Sequence, residues 1–343
     1  MLHDSSLWPD AKACSLQRAD ECVQAGILIS LMEESVMKIL LPVDGSNAAN
    51  EAVSFVRTLA QSNPVDVIVL KVSRAPVQHT NEPWTSEWTE HESQHAEKVL
   101  ERVKQKLEAD CQSVLTIHGA GSVVPCIIDH AKESKVDLIV IGAKGLSATQ
   151  RAVLGSVTDT VATRAECSVV VVRPGRAKKQ LLDRILFAFD KSVASREAAK
   201  EVMNLKLERD TRLSVVSVAQ SPRVFLEDGP VPSSIPLTPE QIAPVSEAAD
   251  RMASHIAERF PQTASHTPVA DHVGDAIIEA AEKEGVDLVV VGDTGHNRLG
   301  EYFLGSTSRH VLRHAACSVW ISRRYRQPTG DSKQQAAGAA AME

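Results

Sequence analysis

The sequence predicts an α/β protein made of two tandem copies of an open, doubly wound parallel sheet, and three observations carry that prediction. An internal repeat comes first. Val136-Asp137-Leu138-Ile139-Val140-Ile141-Gly142 recurs as Val286-Asp287-Leu288-Val289-Val290-Val291-Gly292, and Ala165-Glu166-Cys167-Ser168-Val169 recurs as Ala315-Ala316-Cys317-Ser318-Val319, both at an offset of 150 residues. Solenoid units repeat every ~20–50 residues, so a period this long marks a duplicated domain. Second, strand-like apolar runs alternate with helical patterns, and a βαβαβ order implies parallel strands joined by right-handed crossovers. Third, aromatic residues are only 3% of a chain that is 43% hydrophobic. Val, Ile, Leu and Ala must therefore fill the cores, as parallel sheets covered on both faces require.

The elements follow in order. In the first copy strands are expected at Lys38–Val43, Val65–Val72, Ser113–His118, Asp137–Gly142 and Ser168–Arg173. In the second they fall at Arg184–Phe189, Arg212–Ala219, His266–Asp271, Asp287–Gly292 and Ser318–Ser322. Each set of five fits one sheet in the order 3-2-1-4-5 with helices on both faces. The longest helix of the second copy is announced by Thr238-Pro239-Glu240-Gln241, where Thr238 suits the N-cap, Pro239 the first helical position and Gln241 a capping box. The proline-rich run 221–236 before it reads as an exposed loop with a counterpart at 75–85, and 175–180 as a short basic linker. The chain thus divides into a leader (1–36), a first domain (37–176), a second domain (177–326) and an Ala/Gly-rich tail (327–343) expected to be disordered. Within the leader, Val23–Met37 has helical periodicity weakened by Gly26.

Charge excludes several classes of function. The net charge is -7, with 15 basic against 16 acidic residues in 37–176 and 19 against 20 in 177–326. Neither half carries the basic footprint that nucleic acid requires. The apolar run Gly26–Met32 is too short to span a bilayer, and Met1–Asp10 has no cationic n-region, so no membrane partner is expected and a cytoplasmic location is. Cys14, Cys22, Cys111, Cys126, Cys167 and Cys317 form no CxxC pair, which fits thiols in a reducing compartment. Cys167 and Cys317, at equivalent positions, read as small core residues.

Chemistry concentrates at the ends of two strands. Gly142-Ala143-Lys144-Gly145 is followed, after nine residues, by Gly155-Ser156, and Gly292-Asp293-Thr294-Gly295, after nine more, by Gly305-Ser306. Glycine lets backbone approach a ligand, and a helix start presents N–H groups at its positive end, which outlines a phosphate cradle. Ser156-Val157-Thr158-Asp159 also spells a capping box, so Ser156 has the alternative of simply capping its helix. The first strands end in Pro42-Val43-Asp44-Gly45-Ser46 and Ala188-Phe189-Asp190-Lys191-Ser192. In a doubly wound sheet, strands 1 and 4 flank the ligand crevice, so Asp44 and Asp190 converge on the glycine loops. Their alternative is a helix N-cap.

With these motifs the chain resembles the universal stress protein family in tandem form, over Met37–Arg176 and Leu181–Arg323. Gly-x2-Gly-x9-Gly-Ser/Thr is the pattern of that family's ATP-binding branch and occurs twice, and Pro42–Ser46 is a family-like opening. The resemblance implies two Rossmann-like (adenine nucleotide alpha hydrolase-like) domains that hold ATP, or ADP or AMP, with Mg²⁺ at the phosphates. In site 1 the adenine would lie near Pro42, Val43, Asp44 and Val72, and the phosphates at Gly142, Gly145, Gly155, Ser156 and Val157. Site 2 would use Asp190, Val218, Gly292, Gly295, Gly305 and Ser306. It also implies that the fifth strands join the halves as an intramolecular pseudo-dimer, with room for further homodimerisation and an unidentified protein partner. The implied function is a nucleotide-dependent switch or sensor in stress response with little or no turnover. A nucleotide-independent scaffold and a slow ATPase or phosphotransferase are the alternatives.

The second copy departs from the pattern. Lys191 replaces the glycine of the first loop, and Asp293 adds a carboxylate among the expected phosphates, which is unfavourable without a bridging cation. Lys191, Arg298 and Arg309 are the candidate cations, and site 1 is expected to bind more tightly. No catalytic residue is identified. His91 and His95 share one helix face but lack a third ligand, so they read as solvated surface, and no metal site made from side chains alone is expected.

Overall fold

The computed structural model describes residues 36–73, 86–145, 154–174, 182–208, 210–222, 236–294 and 304–323. The leader, the tail, the loop 75–85, the linker 175–180 and most of 221–236 lie outside them, as do Cys14, Cys22, Gly295 and Arg298. The first copy runs β1 (Met37–Pro42), α1 (Asn47–Ala60), β2 (Val65–Ser73), α2 (Ser86–Leu107), β3 (Ser113–Ala120), α3 (Val123–Glu133), β4 (Leu138–Gly142), α4 (Ser156–Arg164) and β5 (Ser168–Val172). The second runs β6 (Arg184–Ala188), α5 (Val193–Asn204), β7 (Arg212–Val216), β8 (Ala219–Gln220), α6 (Pro239–Ala257), β9 (Thr263–His266), β10 (Val269–Ala270), α7 (Val273–Glu284), β11 (Leu288–Gly292), α8 (Ser306–His314) and β12 (Ser318–Ser322).

The main strands form one ten-stranded sheet, ordered β3-β2-β1-β4-β5-β12-β11-β6-β7-β9. Each half has five parallel strands in the expected 3-2-1-4-5 order, and the halves meet where β12 pairs antiparallel with β5, Trp320 opposite Val170. The runs are apolar on both faces because both faces are covered. Ile39, Leu41 and Trp320 point into one core with α1, α2, α5 and α6, while Leu40, Val319 and Ile321 point into the other with α3, α4, α7 and α8. Each core continues across both copies. The few aromatics are spent centrally, since Trp320, Phe55 and Phe187 are among the largest fully buried side chains.

The seam is tied by matched polar contacts. Arg173 N–H donates to Ser318 Oγ at 3.2 Å and Arg323 N–H to Ser168 Oγ at 3.0 Å. Both guanidinium groups then reach across it, Arg173 to Leu312 O at 2.6 Å and Arg323 to Ala162 O at 2.6 Å. Arg313 adds a two-pronged pair with Asp159, at 3.1 and 2.9 Å. Among the described residues no helix is long and apolar enough to cross a membrane.

Two strands of the second copy differ from expectation, the first being Arg212–Ala219, which is divided into β7 (Arg212–Val216) and β8 (Ala219–Gln220). The single strand expected at His266–Asp271 is divided too: pairing starts earlier, with Thr263–His266 against β7, and resumes at Val269–Ala270 against β8. Pro268 has no N–H to give, so the ladder breaks there, although its carbonyl still accepts Ala219 N–H at 2.9 Å. At α6 the expected capping box is found: Thr238 is the N-cap, Gln241 Oε1 accepts its N–H at 2.9 Å, and Pro239 is first in the helix.

Candidate functional site

The carboxyl ends of β1 and β4, and of β6 and β11, lie side by side because each pair is hydrogen-bonded in parallel where the strand order reverses. From β1 come Pro42, Val43 and Asp44. Asp44 Oδ1 accepts Ser46 N–H at 2.9 Å, and Ser46 Oγ accepts Ala49 N–H at 3.1 Å. The second copy repeats this, with Ser192 N–H to Asp190 Oδ1 at 2.9 Å and Ser195 N–H to Ser192 Oγ at 3.1 Å. The N-cap alternative for Asp44 and Asp190 is thereby corrected. A serine hydroxyl two residues later caps each helix, and the carboxylate braces the turn leading into it.

The glycine loops return to the same ends. Gly155 N–H donates to Ala143 O at 2.8 Å and Thr158 Oγ1 to Gly142 O at 2.8 Å. In the second copy Gly305 N–H donates to Asp293 O at 2.6 Å and Ser308 Oγ to Gly292 O at 2.6 Å. A Cβ on Gly145 would stand 2.7 Å from Asp44 Oδ2, so the loop and the first strand's carboxylate are adjacent. A Cβ on Gly142 would come 2.5 Å from Ala48 O, so that glycine is required where α1 lies against β4. Gly155 and Gly305 are the N-caps of α4 and α8, and neither helix has a side-chain cap. Ser156 is therefore the first helical residue and not a cap, contrary to its capping-box alternative. With glycine at the cap, the first-turn N–H groups have no side-chain acceptor, an arrangement suited to an anion.

Of the first expected set, Asp44, Gly142, Gly145, Gly155 and Ser156 converge, and Val157 follows in the first turn of α4. Val43 N–H donates to Leu70 O at 2.8 Å, which sets Val72 at the end of the neighbouring strand. In the second copy Asp190, Val218, Gly292, Gly305 and Ser306 all line one cavity of about 820 Å³. Gly295, the sixth member, lies outside the described residues. Lys191 also lines this cavity and holds φ +65°, where its counterpart Gly45 has φ +87°.

The expectation that Asp293 faces the phosphates is corrected. Its side chain is fully buried, with Oδ2 3.5 Å from Nε of the equally buried Arg323 and Oδ1 accepting the Thr294 hydroxyl at 3.1 Å. Among the described residues the cation beside Asp293 is Arg323, from the end of β12, and not Lys191 or Arg309. The reason given for a weaker second site is thereby removed.

The thiols divide as well. Cys167 is buried as expected, and burial pushes its thiol up to about 12. Cys317 is only half-buried. Burial also raises Cys111 to about 11 and lifts Cys126 above the ordinary thiol range. Such thiols are poor nucleophiles near neutral pH.

His91 and His95 are exposed on α2, as expected. A different cluster went unrecognised in the sequence. His272, Asp275 and His310 bring one donor atom each within 4.8 Å of the others, and both histidines line the cavity of the second copy. The signal available was His310, spaced four from His314, but its partners lie 35 and 38 positions upstream on another element.

Comparison with known proteins gives the family and the fold. The model of the universal stress protein family matches residues 36–173 and again 182–323. Universal stress protein YxiE of Bacillus subtilis is 30% identical over 145 residues, covering 40% of this chain and 98% of that protein. A universal stress protein of Mycobacterium tuberculosis (strain H37Rv) is 27% identical over 294 residues, covering 83% of this chain and 96% of its own. The crystal structure of a universal stress protein from Archaeoglobus fulgidus superposes with a TM-score of 0.61 at 21% identity, covering 84% of this chain and 98% of that one, a likeness of fold. Matched by the family model in both of its copies, the chain belongs to the universal stress protein family.

Proposed function

We propose that this protein binds an adenine nucleotide, ATP or its products ADP and AMP, in each of its two crevices and acts in the cytoplasm as a nucleotide-dependent switch in stress response. The two units would be 37–176 and 177–326. The observation that carries the reading is the cavity at the β6/β11 switch point, where an acid, an aliphatic wall and the uncapped start of α8 face one space. About 820 Å³ lies within the ~300–1,000 Å³ typical of small-ligand pockets. Asp190 and Val218 would receive the base and sugar, and Gly305, Ser306 and Lys191 the phosphates. Asp44, Val72, Gly155 and Ser156 would do the same in the first copy. Backbone N–H groups and a helix end hold phosphate without supplying a general base, which favours holding over hydrolysis. Mg²⁺, where it accompanies the nucleotide, would neutralise phosphate charge.

Mass spectrometry of ligand released from purified, denatured protein, together with calorimetric titration of ATP, tests this. Bound adenine nucleotide and two sites are expected. Gly155→Asp and Gly305→Asp should each remove one, because each puts a carboxylate at a helix start meant for phosphate. No nucleotide released and no heat on titration would overturn the reading, and rapid phosphate release would replace the switch with an ATPase.

A further inference from the structure

Four positions around the cavity of the second copy depart together from the first. His272, Gly274, Asp275 and His310 stand where the first copy has Ser122, Val124, Pro125 and Thr160. His272 Nδ1 is 3.0 Å from Asp275 Oδ2, and His310 Nε2 is 2.6 Å from Asp275 Oδ1. His272 Nδ1 also lies 3.2 Å from the Asp275 backbone N–H, so one ring nitrogen faces both the main chain and the carboxylate of the same residue. A ring nitrogen and a carboxylate oxygen are thus close neighbours, an arrangement that a proton or a cation between them satisfies.

The surroundings hold the donors in place. A Cβ on Gly274 would fall 2.7 Å from His310 Cδ2, so the imidazole occupies the space that a side chain at 274 would fill. Glycine weakens a helical turn relative to alanine, and here its missing Cβ admits a ring. His314 stacks on His310 at 4.3 Å between centroids, and its Nδ1–H donates to His310 O at 2.9 Å. His272 meets His310 edge-on at 4.5 Å. None of the three donors is sealed off, since His310 is a quarter exposed, His272 under a half and Asp275 two-thirds.

We propose that His272, Asp275 and His310 form a binding site for a divalent transition metal on the wall of the second cavity, without a counterpart in the first copy. Two imidazoles and one carboxylate suit Zn²⁺, Co²⁺ and their first-row neighbours better than Mg²⁺ or Ca²⁺. In a tetrahedral shell with ~2.0–2.1 Å bonds, donor atoms stand about 3.4 Å apart, a spacing the triad reaches by small side-chain rotations. Three protein ligands leave a fourth position for water or for an oxygen of whatever occupies the cavity. The site does not depend on the nucleotide reading and can be tested with metal alone. The rival description is a hydrogen-bonded His–Asp–His cap on α7 that binds nothing.

The full chain, stripped with chelator, is titrated with Zn²⁺ against a chromogenic chelator and with Co²⁺ followed by visible absorption. One equivalent is expected, with a Co²⁺ spectrum of nitrogen and oxygen ligands. His272→Ser with His310→Thr installs residues that the same fold already carries in the first copy, and should weaken binding more than ~100-fold. Gly274→Ala leaves all three ligands but crowds His310, and should weaken it roughly tenfold. His91→Ala with His95→Ala should change nothing. Circular dichroism checks that each variant folds. The proposal is overturned by absent binding, by a thiolate charge-transfer band that puts the metal on cysteine, or by affinity untouched in the His272→Ser/His310→Thr protein.

Discussion

The two copies keep one backbone and distribute charge over it differently. Their hydrogen-bond skeletons superimpose: Asp44 and Asp190 brace Ser46 and Ser192, Gly155 and Gly305 donate to the residue after the fourth strand, and Thr158 and Ser308 donate to Gly142 and Gly292. Around that skeleton the first copy is neutral at 143 and has glycine at 45. The second has a buried Asp293 paired with Arg323, a lysine at 191 and a histidine cluster on the cavity wall. What the fold needs is therefore the skeleton, and the charges are what each crevice has specialised.

The sharpest break in the comparison is at the seam. Arg323 is 1% exposed and faces a fully buried carboxylate, whereas the guanidinium of its counterpart Arg173 is held, among the described residues, by the carbonyl oxygens of Cys317 and Leu312. Arg323→Met takes from the buried Asp293 the ion-pair partner that Arg323 supplies and should cost about 3–5 kcal/mol in urea unfolding. Arg173→Met loses neutral acceptors' partners and should cost about 1–3 kcal/mol. Adding Asp293→Ala, the residue type present at 143, should recover most of the Arg323→Met loss. Equal costs for the two arginines would mean that the buried pair contributes nothing beyond the shared contacts.

The next effect separates the glycines at the ends of the fourth strands. A Cβ at 142 would meet backbone, Ala48 O at 2.5 Å, while one at 292 would first meet Ala194 Cβ at 2.9 Å. At both positions the neighbours are fixed, since a Cβ at 292 also meets Ala194 C at 3.0 Å and Ser195 N at 3.1 Å, but the overlap at 142 is deeper, so Gly142→Ala should cost about 2–3 kcal/mol and Gly292→Ala about 1–2 kcal/mol. The reverse order would show that α5 packs more tightly on β11 than α1 does on β4.

How much of this was legible in the sequence follows from range. The strand runs, the duplication and the glycine loops could be read because each is written in consecutive residues or repeated at a constant offset, and the order within each sheet followed from the rule for doubly wound α/β chains. The Asp293–Arg323 pair could not, because Asp293 looks like a loop residue until β12 is seen to end beside it. The histidine cluster was hidden likewise, with His272 and His310 on separate elements. Errors within short range had local causes, Pro268 breaking a ladder and Ser46 capping a helix where Asp44 also had the chemistry for it.

The smallest effect asks whether divergence carries a cost. Lys191 sits at φ +65°, a left-handed conformation that a side chain resists by roughly 1–2 kcal/mol. Lys191→Gly removes that strain but gives the unfolded chain more freedom, worth ~0.4–1 kcal/mol the other way. The net should be a stabilisation of about 0.5–1 kcal/mol, visible as a raised Tm without ligand. Because Lys191 lines the cavity, the same change should weaken the nucleotide binding proposed for the second site, and added salt should shrink the difference as it screens an exposed charge. Stability gained with affinity lost would mark Lys191 as a strained residue retained for its ammonium group. A variant that loses stability instead would mean that the side chain packs usefully, and that the glycine at 45 and the lysine at 191 are two solutions to the same turn.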